Sequence, residues 1–153
     1  NTSLSWKGFD LSAIFAYSIG GYIYNRDVTM ILHNGSLEGR DWSTEILKRW
    51  TPDNRYTDVP ALSTTSNNWN SASTRFLQNN SYMRLKNLTL SYNLPKQWIS
   101  KLSLSSVQVY VQGDNLFTIH RNQGLDPEQG ITGITYYRYP AMRTISGGIN
   151  VSF

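Results

Sequence analysis

Alternation of apolar and polar residues with a period of two dominates the chain. From Phe9 to Gly21, Phe9, Leu11, Ala13, Phe15, Tyr17 and Ile19 fall on one side. Asp10, Ser12, Ile14, Ala16, Ser18 and Gly20 fall on the other. A helix would scatter these groups around its circumference, so the pattern predicts a long strand. Just upstream, Leu4 and Trp6 alternate with Ser3, Ser5 and Lys7, and Lys7-Gly8 supplies a tight turn. That combination predicts a hairpin. Three more strands follow the same rule. Leu88, Leu90, Tyr92 and Leu94 oppose Asn87, Thr89, Ser91 and Asn93; Val107, Val109 and Val111 oppose Gln108, Tyr110 and Gln112. At the end of the chain Ile145, Ile149, Val151 and Phe153 oppose Thr144, Ser146, Asn150 and Ser152. The fold class is all-β, with long antiparallel strands.

A soluble sandwich would show the same two faces. Strand length and connectivity favour a membrane barrel instead. The strands exceed the roughly 5–6 residues usual in soluble proteins and suit the roughly 9–11 needed to cross a bilayer. Connections alternate between short and long. Lys7-Gly8 is minimal, then a loop spans about 22–81, and a short link from Pro95 to Leu102 follows, read as one or two helical turns with Pro95 at their first position and Trp98 and Ile99 packing down. A second long loop covers about 120–139. Short turns on one side and long loops on the other are the layout of outer-membrane barrels. Phe9, Tyr17, Tyr92 and Phe153 edge the apolar faces, as an interfacial girdle requires. With Lys7-Gly8 on the periplasmic side, parity leaves Phe153 there too.

Composition narrows the classes further. The 153 residues contain no cysteine, so neither a disulfide nor a thiolate metal site supports the fold. No apolar run approaches the roughly 18 residues of a spanning helix. The polar start, Asn1-Thr2-Ser3, is not a signal peptide. The net charge of +4 comes from scattered basic residues, which argues against a nucleic-acid partner.

Candidate chemistry is sparse. His33 and His120 are far apart, with no nucleophile or carboxylate at a diagnostic spacing, and no catalytic motif occurs, so the chain is not read as an enzyme. In DWSTEILKRW, Asp41 is read as a helix cap and Glu45 as a first-turn acid. Trp42, Trp50, Tyr56 and Trp69 lie in the first long loop among Asn, Ser and Thr, where aromatic faces could stack on sugar rings. Packing of the loop on itself is the simpler account of them. Asp126 and Glu128 flank Pro127 in the second loop. A proline turn explains them better than a calcium site, for which two carboxylates are too few. No other cofactor is expected. Arg84, Lys86 and Arg143 continue the apolar faces outward, and are expected to meet lipopolysaccharide phosphates or to form a solvated collar.

The runs RFLQNNSYMRLKNLTLSYNLPKQW, VYVQGDNLFTI and GLDPEQG, with the ending YPAMRTISGGINVSF, resemble the C-terminus of the SusC/RagA family of TonB-dependent outer-membrane transporters. The resemblance is most specific from Arg75 to Phe153. It implies that residues 1–153 are the C-terminal segment of a large, 22-stranded transmembrane barrel, with the plug domain and TonB-contacting region upstream and absent here. It also implies import of an oligosaccharide or peptide, a SusD-like surface lipoprotein partner, energy through TonB, and contact with outer-membrane lipid. Gly148, Val151 and Phe153 resemble the signal read by the barrel assembly machinery. On this reading Asp10, Ser12, Gln108, Tyr110, Gln112 and Asn150 line the passage, and Gln108, Tyr110 and Gln112 join the loop aromatics as substrate contacts. The class-distinct alternative is a soluble all-β carbohydrate-binding module.

Overall fold

A computed structural model describes every residue except 34, 36, 38, 64, 66–68, 70, 103, 123–125 and 129–131, with the backbone alone at Leu102. The chain divides into two compact units. The first comprises residues 1–20, 80–121 and 140–153. The second comprises 21–79 and 122–139. Among the described residues no helix is long and apolar enough to cross a membrane.

The first unit is one antiparallel sheet of β1 (Thr2–Trp6), β2 (Phe9–Ser18), β5 (Tyr82–Asn93), β6 (Ser106–His120) and β8 (Thr144–Ser152). These stand in the order β1-β2-β5-β6-β8, and they are the five strands that the alternation predicts. Lys7 (φ 46°) and Gly8 (φ 90°) both take positive φ. A two-residue hairpin needs this for its turn to match the strands' twist. The Asn93 N–H donates to the Gly8 carbonyl at 2.8 Å, fastening that turn to β5. The short link holds a four-residue helix, α2 (Lys96–Ile99), capped rather than begun by Pro95. Ile99 packs down as expected, but Trp98 is 65% exposed and does not.

Register assigns the faces. Leu4, Leu11, Leu90, Val111 and Gly147 form one cross-strand row, and Trp6, Phe9, Tyr92, Val109 and Ile149 the next. Directly opposed residues share a face, so these rows stack into one apolar surface. The Phe9 and Tyr92 rings meet at 4.5 Å. Among the described residues no second layer of this unit covers that surface: Phe15, Leu90 and Val109 are 43%, 42% and 43% exposed. A sandwich would have buried them.

Two bulges interrupt the ladder. Leu85 pairs with Phe15 and Asn87 with Ile14, so Lys86 is an extra residue in β5. In β6 the pairing jumps from Asp114 opposite Asn87 to Phe117 opposite Leu85, and Asn115 takes φ 51°. The extra residue reverses which side chains face which way beyond it. Leu85, not Arg84, therefore continues the apolar surface.

The second unit falls where two long loops were expected, and it is built rather than irregular. Its sheet joins β4 (Leu77–Asn79), β3 (Tyr22–Asn25) and β7 (Ile134–Thr135), with β3 and β7 parallel. Helix α1 (Arg26–Ile31) follows β3, with the Asn25 side-chain Oδ1 accepting from the Val28 N–H at 3.1 Å as its cap. A 3₁₀ turn spans Thr44–Lys48 and is capped by Ser43, not by Asp41. Glu45 is the acid of its first turn, as expected, and also pairs with Lys48 at 2.8 Å. Ile23, Ile46, Val59 and Phe76 are buried in this unit.

Candidate functional site: a polar sheet face and a loop platform

The sheet face opposite the apolar surface is a connected array of amides, hydroxyls and carboxylates. Ser5 Oγ donates to Asp10 Oδ1 at 2.5 Å, and Asn93 Nδ2 to Asp10 Oδ2 at 2.7 Å. Asn150 Nδ2 donates to Gln108 Oε1 at 3.2 Å, and Gln108 Nε2 passes the chain on to Ser91 Oγ at 3.3 Å. Further along, Asn87 Nδ2 donates to Asp114 Oδ1 at 2.7 Å and Gln112 Nε2 to Asp114 Oδ2 at 3.1 Å. Each bond joins neighbouring strands or next-nearest residues on one face, so the array follows from register alone. Side-chain amides both donate and accept, which lets the bonding run from strand to strand.

The expected wall residues Asp10, Ser12, Gln108, Tyr110, Gln112 and Asn150 all lie on this face. Tyr110 is held by a specific contact. A Cβ on Gly148, its partner on β8, would come within 2.7 Å of the Tyr110 hydroxyl and 2.9 Å of its ring. Gly148 thus leaves the space that the ring occupies.

Arg84 requires a correction. It is 3% exposed, pairs with Ala16 and Thr118 on the polar side, and its Nε donates to Thr118 Oγ1 at 2.9 Å. The Lys86 bulge turned it away from the apolar surface, so it does not belong to an outward collar. Arg84→Ala is expected to lower stability by about 1–3 kcal/mol, since Thr118 loses a charged partner in a buried setting. A change below about 0.5 kcal/mol, from the urea midpoint of the folded protein, would contradict that role. Lys86 sits in the bulge. Arg143 is exposed one residue before β8.

In the second unit the four loop aromatics separate. Trp69 anchors the fold: its Nε1–H donates to the Leu32 carbonyl, and the Arg75 guanidinium lies 3.7 Å from its ring centre. Burial lowers the Arg75 pKa, against the raising effect of Asp58 at 3.5 Å. Trp42 donates from Nε1 to His33 Nδ1 at 3.1 Å while remaining partly exposed. Trp50 is half-exposed, and Tyr56 is fully exposed. In the second loop the Glu128 N–H donates to Asp126 Oδ1 at 2.9 Å, an Asx turn around buried Pro127. The described residues hold no group of three metal-ligating side chains.

One cluster was absent from the sequence reading. The Arg26 guanidinium lies 4.5 Å from the Tyr136 ring centre, and the Tyr136 and Tyr137 rings meet at 4.3 Å. Arg40 Nη1 donates to the Tyr137 hydroxyl at 3.1 Å. Tyr137 takes φ 47°, and its N–H donates to Asp27 Oδ1 at 3.0 Å. The adjacent aromatic pair beside basic residues is the only trace of this cluster in the sequence.

A long-stranded meander with one uncovered apolar face and one bonded polar face is a piece of transmembrane barrel wall. Comparison with known proteins narrows that class. No protein-family model matches the chain. It is 34% identical over its whole length to TonB-dependent receptor P3 of Formosa agariphila, of which it spans 16%. It is 28% identical over 99% of its length to TonB-dependent receptor SusC of Bacteroides thetaiotaomicron, spanning 14% of it. Among solved structures, the RagAB peptide importer in its closed-closed state superposes with a TM-score of 0.84 at 35% identity, over 97% of this chain and 16% of that one. The RagAB peptide transporter gives 0.85 at 36%, over the same shares. The chain belongs to the SusC/RagA family of TonB-dependent receptors, as a C-terminal barrel segment.

Proposed function

We propose that this chain is the C-terminal wall segment of a 22-stranded outer-membrane barrel that imports an oligosaccharide or a peptide. The apolar surface faces lipid, and the amide-rich face lines the aqueous passage. Energy comes through TonB and a plug supplied by the rest of the protein, and a SusD-like surface lipoprotein is the partner. Gln108 and Gln112 on the wall, with Trp42, Trp50 and Tyr56 in the second unit, are the cargo contacts. Val151 and Phe153 act in recognition by the assembly machinery, while Gly148 makes room for the Tyr110 ring. Arg143, extending the row of Ile145, meets lipid phosphate.

The observation carrying this reading is the exposure of the apolar rows opposite a hydrogen-bonded polar face. A 310 Å³ groove on the apolar side, lined by Leu11, Leu88, Leu90, Val111, Leu116 and Ile145, suits acyl chains and offers a polar cargo almost no partner. Refolding from urea tests the reading. The chain is expected to stay soluble only in detergent, because an uncovered apolar sheet face associates in water. A monodisperse monomer in plain buffer would favour a soluble binding module instead.

A further inference from the structure

Arg26, Tyr136, Tyr137 and Arg40 form a continuous cluster: the Arg26 guanidinium lies over the Tyr136 ring, the two tyrosine rings meet, and Arg40 donates to the Tyr137 hydroxyl. Its parts come from three places in the second unit: the start of α1, the residues after β7, and the segment before the Thr44 turn. Asp27 holds Tyr137 in its left-handed conformation through the backbone N–H. The Tyr137 hydroxyl in turn donates to Met30 Sδ at 3.7 Å. The aromatic pair is thus fastened at its backbone and at its tip.

Both arginines are exposed, and among the described residues neither has a carboxylate within ion-pair distance. The Arg26 guanidinium makes no hydrogen bond to a described residue, and that of Arg40 spends one donor on Tyr137. Guanidinium carries five donors in a flat fork that matches a carboxylate. Stacking on Tyr136 holds the Arg26 plane in place while leaving its edge open, and the bond to the Tyr137 hydroxyl holds Arg40 beside it. The two tyrosines remain 41% and 63% exposed, so the platform has an accessible aromatic surface beside its cations.

We propose that this platform binds a carboxylate of the imported cargo. The group is either the free C-terminus of a short peptide or the acid of a uronate-bearing oligosaccharide. This inference rests on the import reading above. It adds that the protein selects anionic over neutral cargo, through Arg26 and Arg40.

The test measures binding to the full-length transporter purified in detergent. One probe pair is trialanine against trialanine amide; the other is digalacturonate against neutral digalactose. At least one acid is expected to bind roughly tenfold more tightly than its neutral partner, the scale of one lost charge-assisted bond. Which pair shows the preference identifies the source of the carboxylate. Arg26→Gln with Arg40→Gln is expected to abolish the preference while leaving the neutral probe unchanged. Arg26→Gln alone, which removes no hydrogen bond, should shrink it without disturbing the fold. Equal binding of acid and neutral probes, or a preference that survives the double substitution, would overturn the carboxylate site and leave import standing. Failure of all four probes to bind the wild-type protein would count against both.

Discussion

Val111→Arg is expected to prevent the full-length transporter from assembling in the membrane. Val111 sits in the row Leu4, Leu11, Leu90, Val111 and Gly147, central to the apolar surface and half-exposed there. A cation on the lipid face of a barrel costs about 2–4 kcal/mol at the bilayer midplane and almost nothing near its edges. That is a large share of the stability of an ordinary domain. A residue on the other face, in the next strand, supplies the control. Asn150→Arg adds the same charge where the side chains already bond to amides. Assembly is read on a gel, where a closed barrel migrates differently before and after boiling. Loss of the folded band for Val111→Arg and its retention for Asn150→Arg is the expected pair. Loss for Asn150→Arg with retention for Val111→Arg would mean that the faces are assigned the wrong way round, and equal behaviour would mean that neither face is the lipid face.

Gly148→Val should be almost as damaging, for a steric reason. Any side chain there meets the Tyr110 ring, and the first added carbon already falls 2.7 Å from its hydroxyl. The ring must swing off β8, or the β6–β8 register must give. Overpacking of this kind costs about 1–3 kcal/mol. A second substitution separates this account from one in which the assembly machinery reads Gly148 itself. Tyr110→Ala empties the space, so Gly148→Val on that background should regain most of the folded band. Persistence of the defect without the tyrosine would assign Gly148 to recognition instead.

Four of the strands and their faces were legible because alternation over nine or more residues has no competing explanation, and the first, five residues long, was read from its hairpin turn. The Lys86 bulge was also written in the sequence, as a change of phase: the apolar positions are Met83 and Leu85 before it, Leu88 and Leu90 after it. Reading the strand with one phase throughout put Arg84 on the wrong side. The second unit was opaque for a different reason. Its strands are four, three and two residues long, too short for periodicity to register. Its parallel pair joins residues more than a hundred positions apart. The cap at Ser43 rather than Asp41 reflects two acceptable residues two positions apart, between which only the local backbone decides. The Arg–Tyr cluster depended on three such distant segments, so no local motif announced it.

The pairing of Tyr24 with Ile134 and Asn25 with Thr135 ties the chain's two long excursions into a single piece. The 2.8 Å bond from the Tyr24 N–H to the Gly133 carbonyl adds to it, and Asp27 clasps Tyr137 from the far side. Neither excursion can lift away without breaking main-chain bonds to the other. A gate built from this part of the molecule would have to carry both excursions together as one rigid flap.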